Sequence, residues 1–131
     1  MTKELDLTID ELHETIQRVR PLLSRARQQR VPPALDDKII TAWNGMMISA
    51  MAEAGRVLGI SRYLDGARKA ADVLLRLHRT AEGALLRTSR QGRAHLDGVL
   101  EDYAYLAEGL IDLYEACGQE RYLTAALQLG E

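Results

Sequence analysis

A five-residue signature occurs twice in the chain, and every residue returns after the same interval. Gly59, Arg62, Tyr63, Leu64 and Ala67 recur as Gly118, Arg121, Tyr122, Leu123 and Ala126, each 59 residues later. Self-similarity at a fixed period marks a repeat architecture, in which each unit buries its apolar faces against its neighbours. Two unrelated hairpins converging on one turn type would explain five matches in register less well. Each copy of the signature lies where an apolar helix gives way to an amphipathic one. The repeated unit is therefore a helical hairpin, and the alternation predicts an inner and an outer layer.

The helices have readable ends. Thr8 and Glu11 have capping-box spacing, with Leu7 and Leu12 at the staple positions. Ile9, Leu12, Ile16, Val19, Leu23 and Ala26 then form one stripe of a helix over about 8–28. Pro21 removes a backbone donor inside it and predicts a kink, because the stripe continues in phase beyond it. Val31-Pro32-Pro33 breaks the helix, and Asp36 or Asp37 is placed to cap a second one over 37–58. That helix is apolar on nearly every side, which predicts burial all round. Gly59 ends it. Ser61 is the expected cap of an amphipathic helix over 62–78. Arg90-Gln91-Gly92-Arg93 sits inside a small β-hairpin expected over 84–96. Helices over 100–117 and 120–131 complete the series, so the chain is expected to be an all-α single domain.

Composition narrows the function classes. With 131 residues and 47% apolar content the chain can build one core. A net charge of -2 does not favour polyanion binding. Arg18, Arg20, Arg25, Arg27 and Arg30 form a basic run, but no aromatics are interleaved with it, so no nucleic-acid partner is expected. The longest uncharged stretch, Ile39 to Ala52, is shorter than the roughly 20 residues of a membrane span. The acidic N-terminus lacks the apolar region of a signal peptide. Cys117 is the only cysteine, which excludes an internal disulfide and fits a reducing cytoplasm. No histidine pair has metal-ligand spacing, and no cofactor motif is present; His13 and His78 read as isolated surface or rim residues.

Candidate chemistry concentrates at the start of the two apolar helices. Asp37, Thr41 and Asn44 share one helical face, with Asp36, Lys38 and Trp43 beside them. The equivalent place on the other apolar helix carries His95, Asp97, Glu101, Asp102 and Tyr103. Paired carboxylates near a histidine and a tryptophan suit sugar chemistry, with acids to move protons and an aromatic face to stack on a ring. On that reading Asp37, Glu101, Asp102 and His95 are the acid/base candidates, while Asp36, Trp43, Asn44 and Tyr103 bind substrate. Asp37, Asn44 and Asp102 are then expected to point into one shared cavity. The competing reading is that the acids only cap helices and complement their dipoles, leaving a non-catalytic scaffold or interaction module.

Two longer motifs carry a resemblance. Leu35-Asp-Asp-Lys-Ile-Ile-Thr-Ala-Trp-Asn-Gly-Met-Met-Ile and His95-Leu-Asp-Gly-Val-Leu-Glu-Asp-Tyr-Ala resemble signatures of the thioredoxin-domain-containing, spermatogenesis-associated protein family. The resemblance covers nearly the whole chain from Leu5. It implies tandem αα-hairpins of a partial (α/α)6 toroid similar to N-acylglucosamine epimerases and six-hairpin glycosidases. It also implies that the entrances at Asp36, Asp37, Trp43, Asn44, Glu101 and Asp102 face a central cleft. The family's thioredoxin-like domain has no counterpart here, and about two hairpins of the toroid are covered, so the chain is expected to be a fragment that is inert alone. The apolar second helix further predicts a homo-oligomer, most simply a two-fold dimer.

Overall fold

The computed structural model describes residues 7–130. The chain divides into two compact units, the first ending at Asp36 and the second beginning at Asp37.

The first unit holds one helix, α1 (Ile9–Gln28), which runs unbroken through Pro21. Its start is the capping box that the spacing implies. The Thr8 hydroxyl oxygen accepts from the Glu11 backbone N–H at 3.2 Å, and Glu11 Oε2 accepts from the Thr8 N–H at 2.8 Å. These bonds hold the Glu11 carboxyl below its ordinary range. No residue of α1 is buried, and Ile9, Ile16 and Leu23 of its apolar stripe are exposed.

The second unit is all-α with a small antiparallel sheet. Its elements are β1 (Ile39–Ile40), α2 (Thr41–Leu58), α3 (Ser61–Leu77), β2 (Leu86–Arg90), β3 (Arg93–Asp97), α4 (Leu100–Cys117) and α5 (Glu120–Leu129). Glu131, the expected end of the last helix, lies outside the described residues. The inner helices α2 and α4 run in the same direction, since Ala42 meets Asp102 near their starts and Ser49 meets Asp112 further along. Each is followed by an outer helix, α3 or α5. The core fills the space between the layers with Ile48, Leu74, Leu106, Leu110, Leu113 and Tyr122.

The repeat is real in its details. Gly59 and Gly118 both close their inner helices in the left-handed conformation, at φ 65 and 69. Three and four residues on, Arg62 lies over the Tyr63 ring at 5.1 Å and Arg121 over the Tyr122 ring at 4.5 Å. In the second copy Asp72 of α3 also accepts from Tyr122 and pairs with Arg121, tying the outer helices together. Burial first, then the Asp72 carboxylate, push the Tyr122 phenol up to about 12.

Three expectations need correction. The second helix begins at Thr41 rather than Asp37, because Ile39 and Ile40 pair with Ser89 and Thr88 as a third strand. Ile40 is consequently the residue at its cap position and offers no side-chain bond, so neither Asp36 nor Asp37 caps it. Ser61 likewise is the first residue of α3, with Ile60 at the cap. Finally, α2 is not buried all round. Its buried face is the small one, made by Ala42, Gly45, Ala52 and Gly55 with Thr41 and Ile48, whereas Trp43, Met47, Val57 and Leu58 are well exposed. Packing distance explains the choice. A Cβ on Gly45 would lie 2.5 Å from the Tyr105 carbonyl oxygen, and one on Gly109 would strike the carbonyl of Gly45. The inner helices thus meet backbone to backbone, which only the small face permits.

The hairpin is tight. Arg90 pairs with Arg93 across a two-residue turn at Gln91 and Gly92, both at positive φ (52 and 76). This is the turn geometry whose twist matches the flanking strands.

Candidate functional site

The starts of α2 and α4 meet β2 at one end of the second unit, and Asp102 is the centre of that meeting. It is fully buried. Its Oδ1 accepts from the Ala42 N–H of α2 at 3.1 Å, and its Oδ2 accepts from the Val99 N–H at the start of α4 at 3.0 Å. Arg87 of β2 donates to the same Oδ2 at 3.3 Å. One carboxylate therefore caps two parallel helices, satisfying orphan donors that neither Ile40 nor Val99 has a side-chain oxygen to meet. Both helix dipoles place partial positive charge there, which favours the anion.

Around this centre the other candidates are placed as follows. Glu101 Oε1 accepts from Arg87 at 2.7 Å, with about half its side chain in solvent. Asp37 pairs with Arg90 Nε at 2.5 Å, also near the surface. Arg87 and Arg90 are three residues apart on β2, so their side chains leave opposite faces of the sheet. Asn44 turns back on its own helix, its Nδ2 donating to the Ile40 carbonyl at 2.8 Å. Tyr103 lies against the core, and its hydroxyl accepts from the Leu85 N–H at 2.9 Å, clipping the strand region to α4. His95 is exposed on β3, its Nδ1 3.5 Å from the Arg93 carbonyl oxygen. Trp43 is 67% exposed in the first turn of α2. Asp36 belongs to the first unit.

A second polar group lies deeper and differs from the sequence reading. His78 is not a rim residue; it is fully buried at the end of α3. Its Nδ1 is 2.7 Å from Thr41 Oγ1 and its Nε2 is 2.7 Å from Ser89 Oγ. The hydroxyl proton of Thr41 is directed to the Leu86 carbonyl at 2.6 Å. Thr41 must then accept from His78, so Nδ1 carries a proton, and in the neutral ring Nε2 accepts from Ser89. The imidazole joins α2, α3 and β2. No signal in the sequence marks this trio, because Thr41 sits among apolar residues, Ser89 lies in an ordinary polar run and His78 follows an ordinary helix.

Burial is the largest influence on His78 and pushes its pKa below the usual 6.5, against the raising effects of the Leu86 backbone and Asp102. The unfolded chain therefore binds a proton near pH 6 that the folded chain does not. Stability from this group is fully present above about pH 6.5 and is lost as pH falls toward the depressed folded value. Denaturant melts between pH 5 and 7 are expected to show a slope of up to about 1.4 kcal/mol per pH unit. His78→Gln should flatten it; an unchanged slope would remove His78 as its source.

Asp102, Glu101 and Asp37 are thus engaged by backbone or by arginine. Among the described residues no three His, Cys, Asp or Glu side chains gather as a metal ion requires, and no helix is long and apolar enough to cross a membrane. What the arrangement does chemically is to bind backbone and to lock a sheet onto helix ends.

No family model matches the chain. Over 95% of its length it is 38% identical to spermatogenesis-associated protein 20 of Homo sapiens and 36% identical to that of Rattus norvegicus. An uncharacterized protein of Caenorhabditis elegans is 30% identical over the same share. The chain spans 18% of the length of each of these relatives. It is homologous to spermatogenesis-associated protein 20 across nearly all of its residues.

Proposed function

We propose that this chain is a non-catalytic helical-repeat module, in which the polar residues at the inner-helix ends hold hairpins together and leave the outer surfaces for association. The observation that carries this reading is the commitment of Asp102: buried, with both oxygens on backbone donors of two helices. A general acid must reach the proton it transfers, and a carboxylate without solvent access and with three donors already bound does not. Glu101 and Asp37 stand in arginine pairs, and Tyr103 and Asn44 satisfy backbone groups. Two layers of hairpins, stacked with parallel inner helices, are also what an (α/α)6 toroid would continue. The module is read as part of such a ring in a larger cytoplasmic protein, a setting that the single cysteine fits.

A second reading rests on Trp43. An exposed indole is the platform a sugar ring would use, as the resemblance to epimerases and glycosidases implies. Because Trp43 is the only tryptophan, its fluorescence separates the two. Titration with glucose and with N-acetylglucosamine to about 10 mM, well above a millimolar Kd, is expected to leave the emission unchanged. A saturable shift would overturn the module reading in favour of a carbohydrate site.

A further inference from the structure

We propose that the outer face of the β2–β3 hairpin binds a small oxyanion of the phosphate monoester class, held by Arg90, Arg93 and Thr88. This goes beyond the module reading and does not depend on it.

Alternation along the strands sorts the hairpin into two faces. Arg87 and Ser89 turn toward the helices, where they meet Asp102 and His78. Thr88 and Arg90 therefore leave from the other face. The register completes it, since Thr88 stands directly opposite His95 and Arg90 directly opposite Arg93. Two rows of side chains result, about 7 Å apart along the strands and within reach of an arginine folded back on its own strand.

The row beside the turn sets two like charges together. Directly opposed residues have Cβ atoms about 5 Å apart, and like charges there weaken a hairpin. Asp37 comes against Arg90 from outside the hairpin, so the pair already attracts a carboxylate. An anion held between both arginines turns their repulsion into a clamp. The planar guanidinium fork gives a tetrahedral oxyanion two parallel bonds, which a lysine cannot.

The second row carries the observation that points to a ligand. Thr88 is 5% exposed, flanked by Ile40 of β1 and His95 of β3. Its Oγ1 nevertheless has no hydrogen-bond partner. A buried hydroxyl without a partner is costly, and valine would fill the same strand position without that cost. The buried hydroxyls of Thr41 and Ser89 are both bonded, so Thr88 is the exception among its neighbours. The His95 ring leans toward the arginine row, its Nδ1 3.5 Å from the Arg93 carbonyl oxygen. The face thus gathers donors of three kinds around one spot. A nucleic-acid strand needs a line of cations to follow, and this face offers a single row, so the fit is to one phosphate group. Asp97, opposite Leu86 in the row beyond His95, bounds the site with a charge that repels anions.

Amide shifts of the full chain, followed by nuclear magnetic resonance at pH 7.5, test this with inorganic phosphate added to about 20 mM against chloride at constant ionic strength. Saturable shifts are expected at Thr88, Arg90, Arg93 and His95, with a Kd on the order of 1 mM. Arg93→Gln, at an exposed position, should weaken binding by about tenfold. Thr88→Val keeps the shape and removes the hydroxyl; it should bind about fivefold more weakly and melt no lower than the wild type. Shifts that never saturate, shifts confined to the arginines of α1, or a Thr88→Val protein that binds phosphate as the wild type does would each overturn the proposal. A lower melting point for Thr88→Val would overturn it too, because the hydroxyl would then be serving the fold and not a ligand.

Discussion

Asp102→Ala is expected to lower the stability of the second unit by about 3–5 kcal/mol, the range for breaking a buried, fully bonded charge. The substitution strips the cap from the Ala42 and Val99 N–H groups and leaves the Arg87 guanidinium without its buried partner. For a unit of this size such a loss moves the melting midpoint down by about 15 °C or more. Asp102→Asn retains one carbonyl oxygen but turns an amide donor toward a second donor, so it should recover only part of the loss. Arg87→Ala, which removes partly exposed ion pairs, should cost about 1 kcal/mol or less. Calorimetric melts of the three variants check the order. A catalytic Asp102 without structural duty predicts the opposite: a stable Asp102→Ala protein.

Gly45→Ala should also be destabilising, although alanine is the better helix former by about 1 kcal/mol. The added Cβ would lie 2.5 Å from the Tyr105 carbonyl oxygen and 2.7 Å from the Leu106 nitrogen, both backbone atoms that move only if α2 and α4 separate. Overpacking of this kind costs about 1–3 kcal/mol and sometimes more, so a net loss of about 2 kcal/mol is expected. Gly66→Ala on α3 is the matched control. Its Cβ would meet only the flexible end of Met51, and the helix gain should leave that variant neutral or more stable. Urea midpoints for the pair decide the point, and equal effects at both glycines would show that the inner helices are not in backbone contact.

What could be read in advance was local. The Thr8–Glu11 box, the glycine stops at Gly59 and Gly118, and the Gln91-Gly92 turn depend on neighbours a few residues away, and each took the expected form. The 59-residue repeat extended that legibility to the pairing of α2–α3 with α4–α5. The illegible parts have distant causes. Ile39 and Ile40 fit the helical stripe as well as they fit a strand, and only Thr88 and Ser89 of β2 recruit them into a sheet. Hydrophobicity does not say which side of α2 is buried, because nearly every side is apolar. Closest approach at Gly45 and Gly109 makes the choice, leaving the large side chains outside.

The candidate site divides in the same way. Glu101 and Asp102 do stand at the first turn of an inner helix, as their positions implied. That Asp102 also caps a helix start 60 residues earlier follows only from the parallel packing of α2 and α4. His78 shows the limit most clearly, since its partners Thr41 and Ser89 lie 37 and 11 residues away and carry no recognisable motif. Thr41 shares a helical face with Asp37 and Asn44 in the sequence reading, yet its hydroxyl is buried against His78 and Leu86.

The central claim is that one buried carboxylate joins the two inner helices, and amide hydrogen exchange at Ala42 and Val99 tests it most directly. Both N–H groups belong to first turns, which ordinarily exchange freely because no helical carbonyl receives them. Capped by Asp102, they should be protected to about the level of the Ile48 and Leu110 amides in the core and should lose that protection in Asp102→Ala. Solvent-rate exchange at Ala42 and Val99 in the wild-type chain, with the rest of α2 and α4 protected, would contradict it and return the Asp102 carboxylate to the role of a group waiting for a ligand.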